Sequence, residues 1–210
     1  MKIIASFLFF WLANFSFSQM YFDYSNYYLE QNKKNANTAF NTDYLSNEEK
    51  KIFYYLNLVR SEPKLFLETF LSIDNQNLHQ KKCTSSSKKK CPYIKSLIND
   101  LSNLEQLNYI KPNKEFFNYA YCHAKKSGKK GYIGHSRKKS GCTNLPSPYG
   151  ECCHYGSEFA LDIVLDLLID CGVSNLGHRE ILLSNQYTMM GVSITTHKNY
   201  NYNAVLDLTY

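Results

Sequence analysis

What the sequence lacks narrows it first. One tryptophan, five prolines and nine glycines in 210 residues exclude a collagen-like chain, and the same composition excludes a coiled coil and a polytopic membrane protein. No internal repeat is present. No C-x-x-C pair occurs among the seven cysteines, so zinc ribbons and thioredoxin-like redox chemistry have no support. No nucleic-acid reader motif occurs either. The only Asn-x-Ser/Thr site is Asn14-Phe15-Ser16. What the chain does have is 18 Tyr and 13 Phe, too many apolar rings to leave solvated, which argues against disorder. The length fits one domain, with a core able to bury roughly 70% of the unfolded surface.

The N-terminus speaks to compartment. Lys2 is followed by an uncharged run from Ile3 to Phe17 and by Ser16-Phe17-Ser18, small at both outer positions. That pattern reads as a secretory signal peptide over residues 1–18, with a mature chain from near Gln19. A signal anchor is disfavoured because Asn14, Ser16, Ser18 and Gln19 dilute the run below the roughly 20 apolar residues a span requires. No cysteine lies near the cut, so a lipid anchor is not expected. The expectation is a secreted, extracellular protein with no membrane span after cleavage. Net charge falls from +6 to +5, and disulfides become the default use of the cysteines, one of the seven being left over.

Residues 19–45, rich in Asn, Tyr and Lys, read as an irregular lead-in, and residues 46–210 as the folded domain. Ser46-Asn47-Glu48-Glu49 fits a capping box, and Ile52, Tyr55, Leu56 and Val59 then share one helical face. Pro63 suits the first turn of a second helix. Residues 74–92 read as a lysine-rich surface loop, with Cys83–Cys91 the easiest local bridge. Helical patterns resume over Tyr93–Leu107, Asn113–Lys126 and Phe159–Ile169. In the last of these, Asp162, Asp166 and Asp170 recur at i+4 as an acidic stripe. Gly191–Thr196 and Ala204–Tyr210 read as a terminal hairpin. The order predicts an α+β or layered α/β/α domain.

Chemistry concentrates between residues 123 and 180. Gly134-His135-Ser136, Tyr149-Gly150-Glu151 and Gly177-His178-Arg179 place a carboxylate between two histidines in sequence, types that can converge as metal ligands or as an acid/base pair. Spacing alone equally allows His135 and His178 to be hydrogen-bonded structural residues. Arg60 and Arg179 are expected to pair with carboxylates that tie helices together, and Asn57 to bond loop backbone.

From about Leu45 to Tyr210 these motifs, taken in order, resemble the CAP superfamily of cysteine-rich secretory proteins, antigen 5 and plant pathogenesis-related proteins. The resemblance rests on Leu56-Asn57-Leu58-Val59-Arg60, Ala120 with His123-Ala124, Gly134-His135-Ser136, Gly150-Glu151, Gly177-His178-Arg179, Gly191-Val192-Ser193-Ile194 and Val205-Leu206-Asp207. It implies a three-layer α/β/α sandwich around a mainly antiparallel sheet. It also implies a cleft formed by His135, Glu151, a second acid and His178. The second acid falls on Asp170, with Asp166 and Glu180 as neighbouring alternatives. Members of the family hold a divalent ion between the two histidines, so His135 and His178 are the implied metal ligands, and zinc bound weakly is the implied cofactor. Two departures stand out: Cys152, beside Cys153, replaces the asparagine that commonly follows the glutamate, and Leu167 or Leu168 replaces an aromatic residue.

The function this implies is a secreted module that binds an extracellular lipid, glycan or protein through the His/Glu/Asp/His cleft. A metal-assisted extracellular hydrolase, protease-like, is the competing class; no nucleophile–base–oxyanion set can be assigned from the sequence, so binding is preferred over catalysis. A third expectation comes from charge. Lys125, Lys126, Lys129, Lys130, Arg137, Lys138 and Lys139 crowd fifteen residues without an acid and could attract an anionic lipid or glycan. Nucleic acid is not an expected partner, because the aromatic residues are not interleaved with the cations. Beyond Cys83–Cys91, five cysteines can form at most two bonds; a bridge from Cys152 or Cys153 to Cys142 or Cys171 would pin the cleft loops, contributing about 2–4 kcal/mol.

Overall fold

A computed structural model describes residues 24–72, 83 and 91–210. The expected signal peptide and most of the lysine-rich 74–92 loop lie outside the described residues.

The first long helix shows how sequence becomes structure. Helix α2 (Asn47–Ser61), which follows the short α1 (Glu30–Ala36), starts where Ser46 Oγ accepts from Glu49 N while Glu49 Oε2 accepts from Ser46 N, completing the capping box. Glu49 Oε1 also accepts from Ile194 N, tying the cap to the sheet. Pro63 opens α3 (Pro63–Glu68). There follow α4 (Pro92–Asn103), α5 (Lys114–Lys130), α6 (Arg137–Ser140), α7 (Ala160–Ile169) and α8 (Gly177–Leu182). Among the described residues four strands, β1 (Lys111–Pro112), β2 (Gly150–Tyr155), β3 (Met189–His197) and β4 (Asn201–Thr209), pair in the order β1-β3-β4-β2. Only the short β1–β3 pair is parallel; β3–β4 and β4–β2 are antiparallel. The expected α/β/α architecture with a mainly antiparallel sheet is therefore present.

The two sheet faces differ in chemistry because alternate residues of a strand point opposite ways. Ala204, Leu206 and Leu208 join the large apolar core with Leu56, Ile163, Leu165 and Leu97. Asn203, Val205 and Asp207 face α5, where the apolar cluster is small: Ala120, Ala124, Cys153 and Val205. Polar bonds supplement it, Asn203 Nδ2 donating to Ala124 O and to Ser127 Oγ. Close approach supplies the rest. A Cβ on Gly128 would overlap the Thr196 carbonyl, and one on Gly191 would overlap the Phe116–Phe117 backbone.

Several expectations are corrected. The lead-in is not irregular: a 3₁₀ turn (Tyr24–Tyr27) and α1 (Glu30–Ala36) lie there, and Tyr28, Ala36 and Ala39 are buried. α1 carries no apolar period because tertiary bonds hold it, with Asn57 Nδ2 donating to Ala36 O and Asn32 Nδ2 to Glu62. Asn57 also bonds Ile110 through both its N–H and its C=O, as the backbone-bonding role requires. α4 stops at Asn103, short of the Leu107 expected from its pattern, since Leu104 is already extended. Among the described residues Arg60 pairs with no carboxylate; its fully buried guanidinium donates to the carbonyls of Asn108, Leu182, Ser184 and Tyr187, and burial lowers its pKa to about 10. Arg179 does pair with Asp100, and it also donates to Leu168 O, Ile169 O and Tyr93 O, joining α4 to the end of α7. Within the acidic stripe, Asp162 and Asp170 are buried.

Cysteine pairing also differs. Cys83 bonds Cys171, not Cys91, across 88 residues, and Cys122 bonds Cys142 across 20. Cys91, Cys152 and Cys153 are unpaired and buried. Neither Cys142 nor Cys171 reaches the 152–153 pair.

Gly191→Ala tests the close packing of α5. We expect a loss of about 3 kcal/mol, because the added methyl meets backbone that cannot rotate away. Chemical denaturation of the variant with native-like stability would remove that packing constraint.

Candidate functional site

The site is built from the turn after α5, the strand β2 and the turn after α7. Helix α5 ends at Gly131, left-handed at φ 68°, and the chain turns through Gly134 at φ 113°, a conformation that L side chains rarely adopt. That loop is held at three points. Gly134 N donates to Tyr155 Oη, Ser136 N donates to Tyr132 Oη, and the Gly134 carbonyl accepts from His123 Nε2. His123 is fully buried, with Nδ1 on Ser140 Oγ, and burial lowers its pKa. It is a clamp for the loop that presents His135. Ser136 is likewise occupied, its Oγ accepting from Lys139 N as the cap of α6.

His135 Nδ1 donates to Glu151 Oε1 at 2.9 Å. The other oxygen of Glu151 accepts from Arg137, whose Nη2 also reaches both oxygens of Asp207 at 2.7 Å and whose Nη1 donates to Tyr119 O. Arg137 is 4% exposed and Asp207 is fully buried. Arg137 thus leaves the set of surface cations expected to draw an anion; it is the counter-charge beneath the cleft. Two carboxylates share that one guanidinium. Burial pushes Asp207 well up against the opposing Arg137 charge. Burial pushes Glu151 up too, but His135, Arg137 and His123 together hold it below the usual carboxylate range. The Glu151 hydrogen bond raises His135 despite partial burial.

On the opposite wall α7 ends at Asp170, left-handed at φ 56°. Asp170 Oδ1 accepts from His178 Nδ1 at 2.7 Å, and Oδ2 accepts from the backbone N–H of His178 and Arg179. The two imidazoles face each other with ring centroids 6.2 Å apart. His135, Glu151, Asp170 and His178 are therefore brought together. Asp166 and Glu180 are not the partners of His178. Because a carboxylate only accepts, Nδ1 carries the proton in both rings and each Nε2 lone pair is left for a ligand. Zinc binds imidazole nitrogen at about 2.0–2.1 Å, which sets the centroids of two rings sharing an ion about 5–6.5 Å apart. The donor set fits a divalent cation.

β2 places the two unexpected cysteines under the two histidines. Cys153 Sγ lies 3.7 Å from His135 Nδ1, and Cys152 Sγ lies 3.8 Å from the His178 carbonyl. Burial raises both thiols well above the ordinary range. His123, Glu151 and Cys153 bring ligand atoms within 4.8 Å of one another and could hold a metal. That set, however, would have to give up one of the two hydrogen bonds by which His123 clamps the loop. A third pair escaped sequence reasoning: His154 Nε2 bonds Asp166 Oδ2 at 3.0 Å, with His154 Nδ1 buried and unpartnered. It lines a cavity of about 280 Å³ beside His178 and Asp170. Alternation along β2 was the only signal for its position, and nothing in the spacing linked it to Asp166.

The remaining cations of the 125–139 segment are partly engaged. Lys126 donates to Gly141 O, and Lys130 to Lys139 O and Ser140 O. Lys125, which donates to Tyr121 Oη, and Lys129 line a second cavity of about 420 Å³ with Thr196 and Lys198, and none of its lining residues is acidic.

Residues 95–208, more than half of the chain, match the family described as the cysteine-rich secretory protein family, CAP. Among solved structures the chain is similar to the CAP domain of enterococcal PrgA, at 17% identity and a TM-score of 0.34. That match covers 66% of this chain and 62% of the other, so the chain spans less than two thirds of that relative. No curated protein matches the sequence. No helix among the described residues is long and apolar enough to cross a membrane.

The electrostatics make a signed prediction. Since Glu151 raises His135, the charged pair stabilises the fold at low pH and is lost as pH rises through the raised value. Glu151→Gln should lower the His135 titration midpoint, leaving burial to depress it. An NMR titration of the ring protons that shows no downward movement would contradict the pairing.

Proposed function

This chain belongs to the cysteine-rich secretory protein (CAP) family, and from that premise we propose that it is a secreted module binding an extracellular ligand through the cleft between His135 and His178. The supporting observation is the pair of facing imidazoles, each fixed at Nδ1 by a carboxylate and open at Nε2. His135 and His178 would hold a divalent cation, which when bound would offer a Lewis-acidic position to a ligand oxygen. Two protein ligands make a modest-affinity, open site. Glu151 and Asp170 orient the rings and fix their tautomers, while Arg137 and Asp207 hold Glu151 in place.

Charge favours a cation here. Glu151 is held as a carboxylate at the cleft, and either a proton on His135 or a metal ion would place a compensating positive charge beside it. Zinc affinity should therefore fall as pH drops through the raised His135 value, because proton and metal compete for Nε2. Calorimetric titration of the purified protein should show zinc binding at neutral pH. A His135→Ala, His178→Ala double variant should lose at least tenfold in affinity; wild-type binding by that variant would refute the assignment.

One observation favours an additional reading. The acid-free groove of Lys125, Lys129 and Lys198 could take an anionic lipid headgroup or glycan sulfate. Replacing the three lysines with glutamate should abolish retention on acidic vesicles or on a sulfated glycan matrix at low salt. Unchanged retention on both would dismiss the groove.

A further inference from the structure

Three of the seven cysteines meet at one point beside the turn that follows Asp170. Cys83 and Cys171 are bonded, and the sulfur of Cys91 lies within 4.8 Å of both of theirs. Cys91 caps α4 and is 2% exposed, whereas Cys171 is exposed. A free thiol is thus held against a disulfide and shielded from solvent reagents. Chain geometry offers Cys83 two partners: Cys91 is near in sequence, and Cys171 is brought in by the fold.

We propose that Cys91 is a resident exchange nucleophile, so that the bond of Cys83 moves between Cys171 and Cys91. The Cys91 sulfur attacks Cys83 Sγ as its proton passes toward the departing Cys171 sulfur, which lies within 4.8 Å. A Cys83–Cys91 bond forms as Cys83–Cys171 breaks, and Cys171 leaves as a thiolate that takes up a proton. One disulfide and one thiol are present before and after, so no oxidant or reductant is consumed. The two states differ in what they brace. The Cys83–Cys171 bond anchors the residue directly after Asp170, the acid that holds His178. The Cys83–Cys91 bond links two residues only eight apart in sequence and releases the turn at Asp170–Gly172, where both residues have positive φ. Cys152 and Cys153 are not competing attackers by placement: their sulfurs contact His178 O and the His135–Glu151 pair.

The exposure difference supplies the test. Folded full-length protein is incubated with iodoacetamide at mildly alkaline pH, quenched in acid and mapped by mass spectrometry without reduction. Alkylation should accumulate at Cys171 in step with a Cys83–Cys91 cross-linked peptide. Cys91→Ser should show neither and keep Cys83–Cys171 intact, with an unchanged circular dichroism spectrum. Cys171→Ser should recover Cys83–Cys91. Wild-type protein that retains only Cys83–Cys171 with Cys171 unlabelled overturns the proposal, as does Cys83 cross-linked to Cys152 or Cys153. Cys171→Ser with Cys83 and Cys91 both alkylated overturns it as well, and does so whether or not the cleft binds zinc.

Discussion

The buried guanidinium of Arg137 is the interaction on which the site depends. It joins β4 through Asp207, β2 through Glu151 and α5 through the Tyr119 carbonyl, and it does so from the first residue of a four-residue helix. Removing one partner of such a buried set typically costs about 3–5 kcal/mol, because the others are left charged in a dry environment. Its benefit is geometric: Glu151 cannot swing toward solvent, so the His135 ring has one orientation. On the opposite wall Asp170 serves His178 in the same way, using a left-handed backbone to aim its carboxylate at a side chain and two amides at once. Arg179 then fastens that corner by binding the last carbonyls of α7.

Much of this was legible in the sequence where local rules decide. The Ser46 cap, Pro63, the apolar face of α2 and the terminal hairpin follow from capping, fixed φ and alternation, and each stands where those rules put it. The motifs around His135, Glu151 and His178 marked the right neighbourhood, and the family likeness supplied their order. What stayed hidden depends on distant partners. α1 has no apolar period because its stability comes from Asn57 and Glu62, far along the chain. Arg137 sits in a run of lysines and is indistinguishable from them until the fold brings Asp207 to it. Cys83 lies eight residues from Cys91, yet its bonded partner comes from the end of α7.

The cysteines connect stability to the cleft in two separate ways. Cys122–Cys142 closes a 20-residue loop around α6 and so restrains the segment that carries His135 and Arg137, worth about 3 kcal/mol through the unfolded chain. Cys83–Cys171 restrains the opposite wall. The vicinal Cys152 and Cys153 do neither; alternate faces of β2 place one under each histidine as small apolar packing groups with strongly raised pKa values. Each wall of the cleft is thus oriented by a carboxylate and anchored by its own disulfide.

Nitrogen-15 NMR of the imidazole rings during zinc titration distinguishes the two Nε2 atoms from the His123–Glu151–Cys153 group as cation ligands. Nε2 of His135 and of His178 should shift together while both Nδ1 atoms stay protonated and His123 is unmoved. Zinc-dependent shifts at His123 with His135 and His178 unchanged would contradict ligation through the two Nε2 atoms.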